Sequence, residues 1–189
     1  MLFNAHKKTI NTLKHTVAHQ ASLLDAIERS MAVIEFDLQG TVLRANDNFL
    51  KTMDYTAEQA IGQPHRRFCT PEFGRSAQYT DLWSRLKNGQ FQSGTFERVD
   101  SQGRPVWLEA SYMPVYGADK QVKSVIKVAS DITVRVNKEH EEESMLAAIS
   151  RSMAVIEFTP DGNVITANDN FLKTMQYSLN EIVGHHHSL

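Results

Sequence analysis

The chain has 189 residues, 41% of them hydrophobic, enough to build a packed core in one or two small domains. Its 20 Lys and Arg against 22 Asp and Glu leave a formal charge of −2, so no basic field draws in nucleic acid or an anionic membrane. A single cysteine, Cys69, excludes an internal disulfide or a cysteine zinc cluster, and with no apolar leader or long apolar run the expectation is a cytoplasmic chain without signal peptide or membrane insertion.

Residues 1–27 read as an amphipathic helix: Ile10, Leu13, Val17, Leu24 and Ile27 recur at three- and four-residue spacing, with Gln20 in the remaining heptad position. That stripe needs cover, from its own domain or from a second copy, and a homodimer is expected. His15 and His19 lie four apart without a third ligand and read as solvated. Residues 31–36 are β-rich, 37–40 supply a turn and 42–45 resume a strand, so a hairpin opens the domain. Asn46 or Asp47 then caps a short helix with Phe49, Leu50 and Met53 on one face, and a brief turn at 57–60 stops at Gly62. After an irregular stretch with Pro64 and Pro71, residues 77–87 form a helix ended by Asn88-Gly89. Strands at 91–99, 105–116 and 122–132 follow, joined by hairpins. This order predicts an α+β fold: a five-stranded antiparallel sheet with short helices on one face. Residues 133–150 read as a linker helix whose Glu139, Glu141, Glu142 and Glu143 stay in water.

The segment RSMAVIEFDLQGTVLRANDNFLKTMDY from Arg29 returns as RSMAVIEFTPDGNVITANDNFLKTMQY from Arg151, an offset of 122 residues. A period that long is one small domain, because solenoid units run roughly 20 to 50 residues. IVGHHHSL then aligns with IGQPHRRF, pairing Gly184 with Gly62 and His187 with His65. His185 and His186 have the look of a purification-tag remnant, yet the repeat accounts for His187. The expected organisation is an N-terminal helix at 1–27, a complete domain at 28–133, a linker helix at 134–150 and the truncated start of a second copy at 151–189.

Several elements in this order resemble the PAS domain family: Ala45-Asn46-Asp47, Gly62 to Cys69, Leu82-Trp83 through Asn88-Gly89, Gly94, Gly103 to Leu108, and Ser130-Asp131-Ile132-Thr133. The resemblance covers residues 28–133, and its start recurs in the second copy. The paired domains are similar to the sensory half of soluble methyl-accepting chemotaxis receptors of the aerotaxis and biofilm-dispersion type. This implies a sensor of oxygen, redox state or a small ligand, coupled to a downstream signalling domain and a chemotaxis kinase complex. A ligand-free dimerisation scaffold is one alternative, and the sensor of a histidine kinase or diguanylate cyclase is another. In PAS proteins the Asp131, Ile132, Thr133 element is the usual hinge between sensor and output. Read on their own, Asp131 can accept a charge-assisted hydrogen bond and Thr133 can cap the following helix.

No catalytic constellation is visible: Asp47, Glu58 and His65 sit outside any nucleophile motif and the glycines form no phosphate loop, so the expectation is a non-enzyme. His65 is the candidate metal ligand, suited to axial ligation of haem b. Asn46, Phe68, Trp83 and Trp107 are the other cofactor-binding candidates, with Phe49, Leu50 and Met113 as further apolar walls. FAD is the rival, because the aerotaxis receptors that the chain resembles bind it and share Gly62 to His65. Against it, Gln92 stands where they carry a tryptophan, and Cys69 to Glu72 replace their histidine-rich loop. The same residues also describe a hydrogen-bonded histidine among ordinary core aromatics, with a ligand-free pocket. Cys69, four residues beyond His65, is either a redox-sensitive thiol or a small apolar residue.

Overall fold

The computed structural model describes residues 2–188, with side chains from Ile10 to Ser188. The first side chains of the predicted N-terminal helix and the terminal Leu189 therefore lie outside the described residues. The chain divides into two units, Met1–Val134 and Arg135–Leu189.

In the first unit α1 (Leu2–Ser30) extends beyond the predicted 27 residues, and Ile10, Leu13, Val17, Leu24 and Ile27 are all exposed on it. Its C-terminal end is tied down by two asparagines. Asn46 Nδ2 donates to Glu28 O and Met31 O, both at 2.8 Å, and Asn48 Nδ2 donates to Glu28 O at 3.0 Å. Strands β1 (Ala32–Phe36) and β2 (Val42–Ala45) form the expected hairpin. Gly40 in its turn has φ +82°, and a Cβ there would lie 3.0 Å from the Trp83 ring, so glycine answers both the backbone and the packing.

Asn46 Oδ1 accepts from Phe49 N at 2.9 Å and starts α2 (Asp47–Met53). A Thr56/Gln59 capping box starts α3 (Ala57–Ala60), which stops before Gly62 at φ +76°. The stretch expected to be irregular is a 3-10 turn at His65–Phe68 followed by α4 (Pro71–Arg75). The signal was present: Thr70 caps α4 and Pro71 stands at its start, where the missing N–H costs nothing. Ser76 caps α5 (Ala77–Lys87).

Strands β3 (Gln92–Val99), β4 (Pro105–Tyr116) and β5 (Val122–Asp131) complete an antiparallel sheet of order β2-β1-β5-β4-β3. Ile34, Phe36, Leu108, Tyr112 and Val125 bury against the helices. Alternation along β4 corrects the predicted cofactor wall. Trp107 lies between the buried Val106 and Leu108, and Met113 follows the buried Tyr112, so both side chains belong to the opposite face. Met113 there lines a hollow with Ile27 and Met31.

Helix α6 (Thr133–Ser152) leads into the second unit, which holds β6 (Ile156–Phe158), β7 (Val164–Ala167), α7 (Asp169–Met175) and α8 (Leu179–Ile182). The repeat extends to individual hydrogen bonds. Val164 N donates to His185 O as Val42 N donates to Gln63 O, and His187 N donates to Gly162 O as His65 N donates to Gly40 O. Asn168 Nδ2 holds Ser150 O and Met153 O, the counterpart of the Asn46 tie. Burial differs sharply: Phe158 and Met175 are 40% and 52% exposed, whereas Phe36 and Met53 are at 1% and 0%. Among the described residues β6 and β7 form a two-stranded sheet, with no equivalent of β5 or β4 to close the face.

Candidate functional site

Pro64 and the 2.7 Å bond from His65 N to Gly40 O swing the His65 side chain into the core. Its Nε2 lies 3.0 Å from Tyr112 Oη, and Arg98 Nη2 donates to the same hydroxyl at 3.1 Å. Because arginine only donates, the phenol uses its own proton toward His65 Nε2, which fixes the histidine as the Nδ1–H tautomer. That Nδ1 faces Cys69 Sγ at 3.7 Å, and the thiol donates back to His65 O at 3.6 Å. The result is an ordered chain from Arg98 through Tyr112 and His65 to Cys69. Phe36 and Trp83 meet the His65 ring edge-on at centroid distances of 5.1 and 5.5 Å, while Tyr79 stacks on it at 5.6 Å.

Two basic side chains share this interior. Arg98 and Lys127 are each only 2% exposed. The guanidinium lies between the Phe96 and Phe73 rings at 4.9 and 5.0 Å, and its Nη1 donates to Glu97 O at 2.6 Å. Lys127 is the register partner of Tyr112, and its Nζ sits 5.0 Å from that ring. Burial holds His65 well below the usual imidazole range, reinforced by Arg98 and Lys127. Burial, then Arg98, lowers Lys127 in the same way. Burial raises the Cys69 thiol and pushes Tyr112 up to about 12, so both stay protonated at neutral pH.

The predicted cofactor-site residues separate into four groups. His65 and Trp83 belong to this cluster. Phe68 packs in the adjoining core against Phe49 and Tyr55, at 5.4 and 5.2 Å. Asn46 is spent on structure, with Oδ1 accepting from Val33 N and Phe49 N while Nδ2 ties the end of α1. Trp107 is on the other face of the sheet. Sequence reasoning missed Arg98, Tyr112 and Lys127. Their signal was phase, since Arg98 follows Phe96 by two residues and Lys127 follows Val125 by two, which puts charges on core-facing positions.

The donor set does not fit an axial haem as it stands. His65 Nε2 is occupied by Tyr112, Nδ1 faces Cys69, and aromatic rings surround the imidazole where a porphyrin would lie.

At the exit of the sheet, Asp131 Oδ1 accepts from Thr133 N at 2.8 Å. Trp107 clamps both following residues: Ile132 N donates to Trp107 O, and Trp107 N donates to Thr133 Oγ1, each at 2.9 Å. The Thr133 hydroxyl thus reaches across to β4 instead of capping α6 as expected.

With this architecture in view, comparison with known proteins is decisive. The PAS fold family matches residues 28–137, and a PAS domain family matches residues 152–188. This chain belongs to the PAS family. It is 46% identical over 162 residues to the biofilm dispersion protein BdlA of Pseudomonas aeruginosa, covering 86% of this chain and 39% of that protein. It is 33% identical over 79 residues to the aerotaxis receptor of Escherichia coli, covering 42% of this chain and 15% of the receptor. The chain therefore spans well under half the length of either relative. A PAS domain from Colwellia psychrerythraea superposes with a TM-score of 0.54 at 25% identity, over 62% of this chain and 98% of that domain. A light-oxygen-voltage domain studied with a flavin analogue gives a TM-score of 0.53 at 14% identity, over 67% of this chain and 96% of that domain, a likeness of fold alone. The first unit is thus a PAS sensory domain, and no described helix is long and apolar enough to cross a membrane.

Proposed function

We propose that this PAS chain is the non-catalytic sensory module of a cytoplasmic chemoreceptor, in which a change in the His65 cluster is relayed through the Asp131–Thr133 junction into α6. The observation that carries the reading is the shared strand. On β4, Tyr112 binds His65 and Arg98 inside the core, while five residues earlier the Trp107 backbone holds Ile132 and Thr133. A shift of Tyr112 along or across the sheet moves the strand that fixes the helix exit. The relation to BdlA and to the aerotaxis receptor supports a receptor context. The exposed stripe of α1 supports signalling as a homodimer, because its apolar positions from Ile10 to Ile27 follow a heptad and stay 44–62% exposed.

The test is Asp131→Ala in the full-length receptor. Removing the carboxylate frees Thr133 N at an exposed position, so the core should remain folded while output becomes fixed and insensitive to stimulus. Normal stimulus-dependent output from a folded Asp131→Ala receptor would refute the relay.

A further inference from the structure

We propose that the Arg98–Lys127 cluster is a binding site for a small organic carboxylate, an assignment that rests on the sensory reading and names the class of stimulus. Arg98 and Lys127 enter the same helix-facing side of the sheet, from β3 and β5, on either side of Tyr112. Both are about as buried as the apolar core, and among the described residues neither has a carboxylate within ion-pair distance. Buried cations are normally paired, because an uncompensated charge loses its hydration without return. Here the surrounding titratable groups are His65, Cys69, Tyr79 and Tyr112, and none supplies an anion at neutral pH. Aromatic faces provide part of the compensation and no counter-charge.

The donors left over define what is missing. Two of the five guanidinium N–H bonds are used, one on Glu97 O and one on Tyr112 Oη. The buried Arg98 Nε–H has no acceptor. Trp83 Nε1–H, on a ring 5.5 Å from His65, likewise has none at hydrogen-bond geometry. A planar guanidinium edge, with the buried Lys127 amine beside it to take up a proton as an anion arrives, matches the two oxygens of a carboxylate. The body of the ligand would meet Phe36, Phe73, Phe96 and Tyr79, which favours an apolar acid over inorganic phosphate. Phe73, part-buried on α4 and stacked over the guanidinium, is the cover that such a ligand would displace.

The experiment is a thermal-unfolding and calorimetric titration of the whole chain with acetate, hexanoate and benzoate at constant ionic strength. Benzamide serves as the neutral isostere of benzoate, and phosphate as the rival anion. Saturable stabilisation by at least one carboxylate is expected, absent with benzamide and weakened tenfold or more in Lys127→Met and Arg98→Met. If Arg98→Met does not fold, Arg98→Lys and the wild-type contrast between benzoate and benzamide carry the decision. No saturable response to any of the three acids overturns the proposal. So does a response to phosphate alone, or one unchanged in both cation variants. These failures are distinct from failure of the relay, which the Asp131→Ala receptor reports whatever the ligand.

Discussion

Replacing Tyr112 by Phe removes one oxygen from the centre of the core and leaves the ring in place. Two buried partners lose their bond at once: His65 Nε2 at 3.0 Å and Arg98 Nη2 at 3.1 Å. Leaving a buried polar group unsatisfied costs about 1–3 kcal/mol, more for a charged one, so Tyr112→Phe should destabilise the PAS domain by about 2–4 kcal/mol. For a domain of this size that corresponds to a fall in Tm of roughly 10 °C or more. Urea unfolding followed through Trp83 and Trp107 measures it, with Tyr116→Phe as the control, since that hydroxyl makes only an exposed 3.2 Å bond to Gly89 O and its loss should cost about 0.5 kcal/mol or less. A Tyr112→Phe loss no larger than the control would refute the claim that this hydroxyl satisfies both partners.

Lys127 predicts a pH dependence. Its folded-state value is depressed by burial and by Arg98, while the unfolded chain titrates near 10.4, so between these values the unfolded state holds the extra proton. Stability of the ligand-free protein should therefore climb with pH by up to about 1.4 kcal/mol per unit in that window and be lost as pH falls toward the folded value; Lys127→Met should flatten the slope just below the unfolded value. Asn46→Ala removes the α2 cap and the tie to α1 together, for a loss of about 1–2 kcal/mol and faster amide exchange at the C-terminal turn of α1. An unchanged stability would deny Asn46 its structural role. The chain should self-associate through α1, with deletion of residues 1–25 lowering the light-scattering mass; a monomer with or without them contradicts the homodimer.

The fold was legible because its signals are local. Turn residues at 37–40, the Asn46 cap and the Asn88-Gly89 stop each act within a few positions, and the repeat is visible without reference to packing. His65 was legible as a nitrogen donor within the Gly62 to Cys69 element. Its partners were not, because Tyr112 and Arg98 reach it through strand register over long sequence separations, and no local motif encodes that meeting. Trp107 shows the opposite error: composition made it a cofactor wall, while the two-residue alternation of β4 turned it to the other face and gave its backbone to the exit junction. Asn46 and Asn48 recur as Asn168 and Asn170 because each pair fastens the preceding helix, a role visible only once the helix ends were placed.

The relay itself is tested most directly by amide hydrogen exchange at Ile132 and Thr133, compared between wild type and Tyr112→Phe under conditions where both are folded. Those amides bond to Trp107 O and Asp131 Oδ1. If β4 couples the buried cluster to the helix exit, loss of the Tyr112 hydroxyl should speed exchange at both by several-fold beyond the change at Gly40 to Val42 in the β1–β2 hairpin. Equal rates at Ile132 and Thr133 in the two proteins, with the cluster demonstrably broken, would contradict the account.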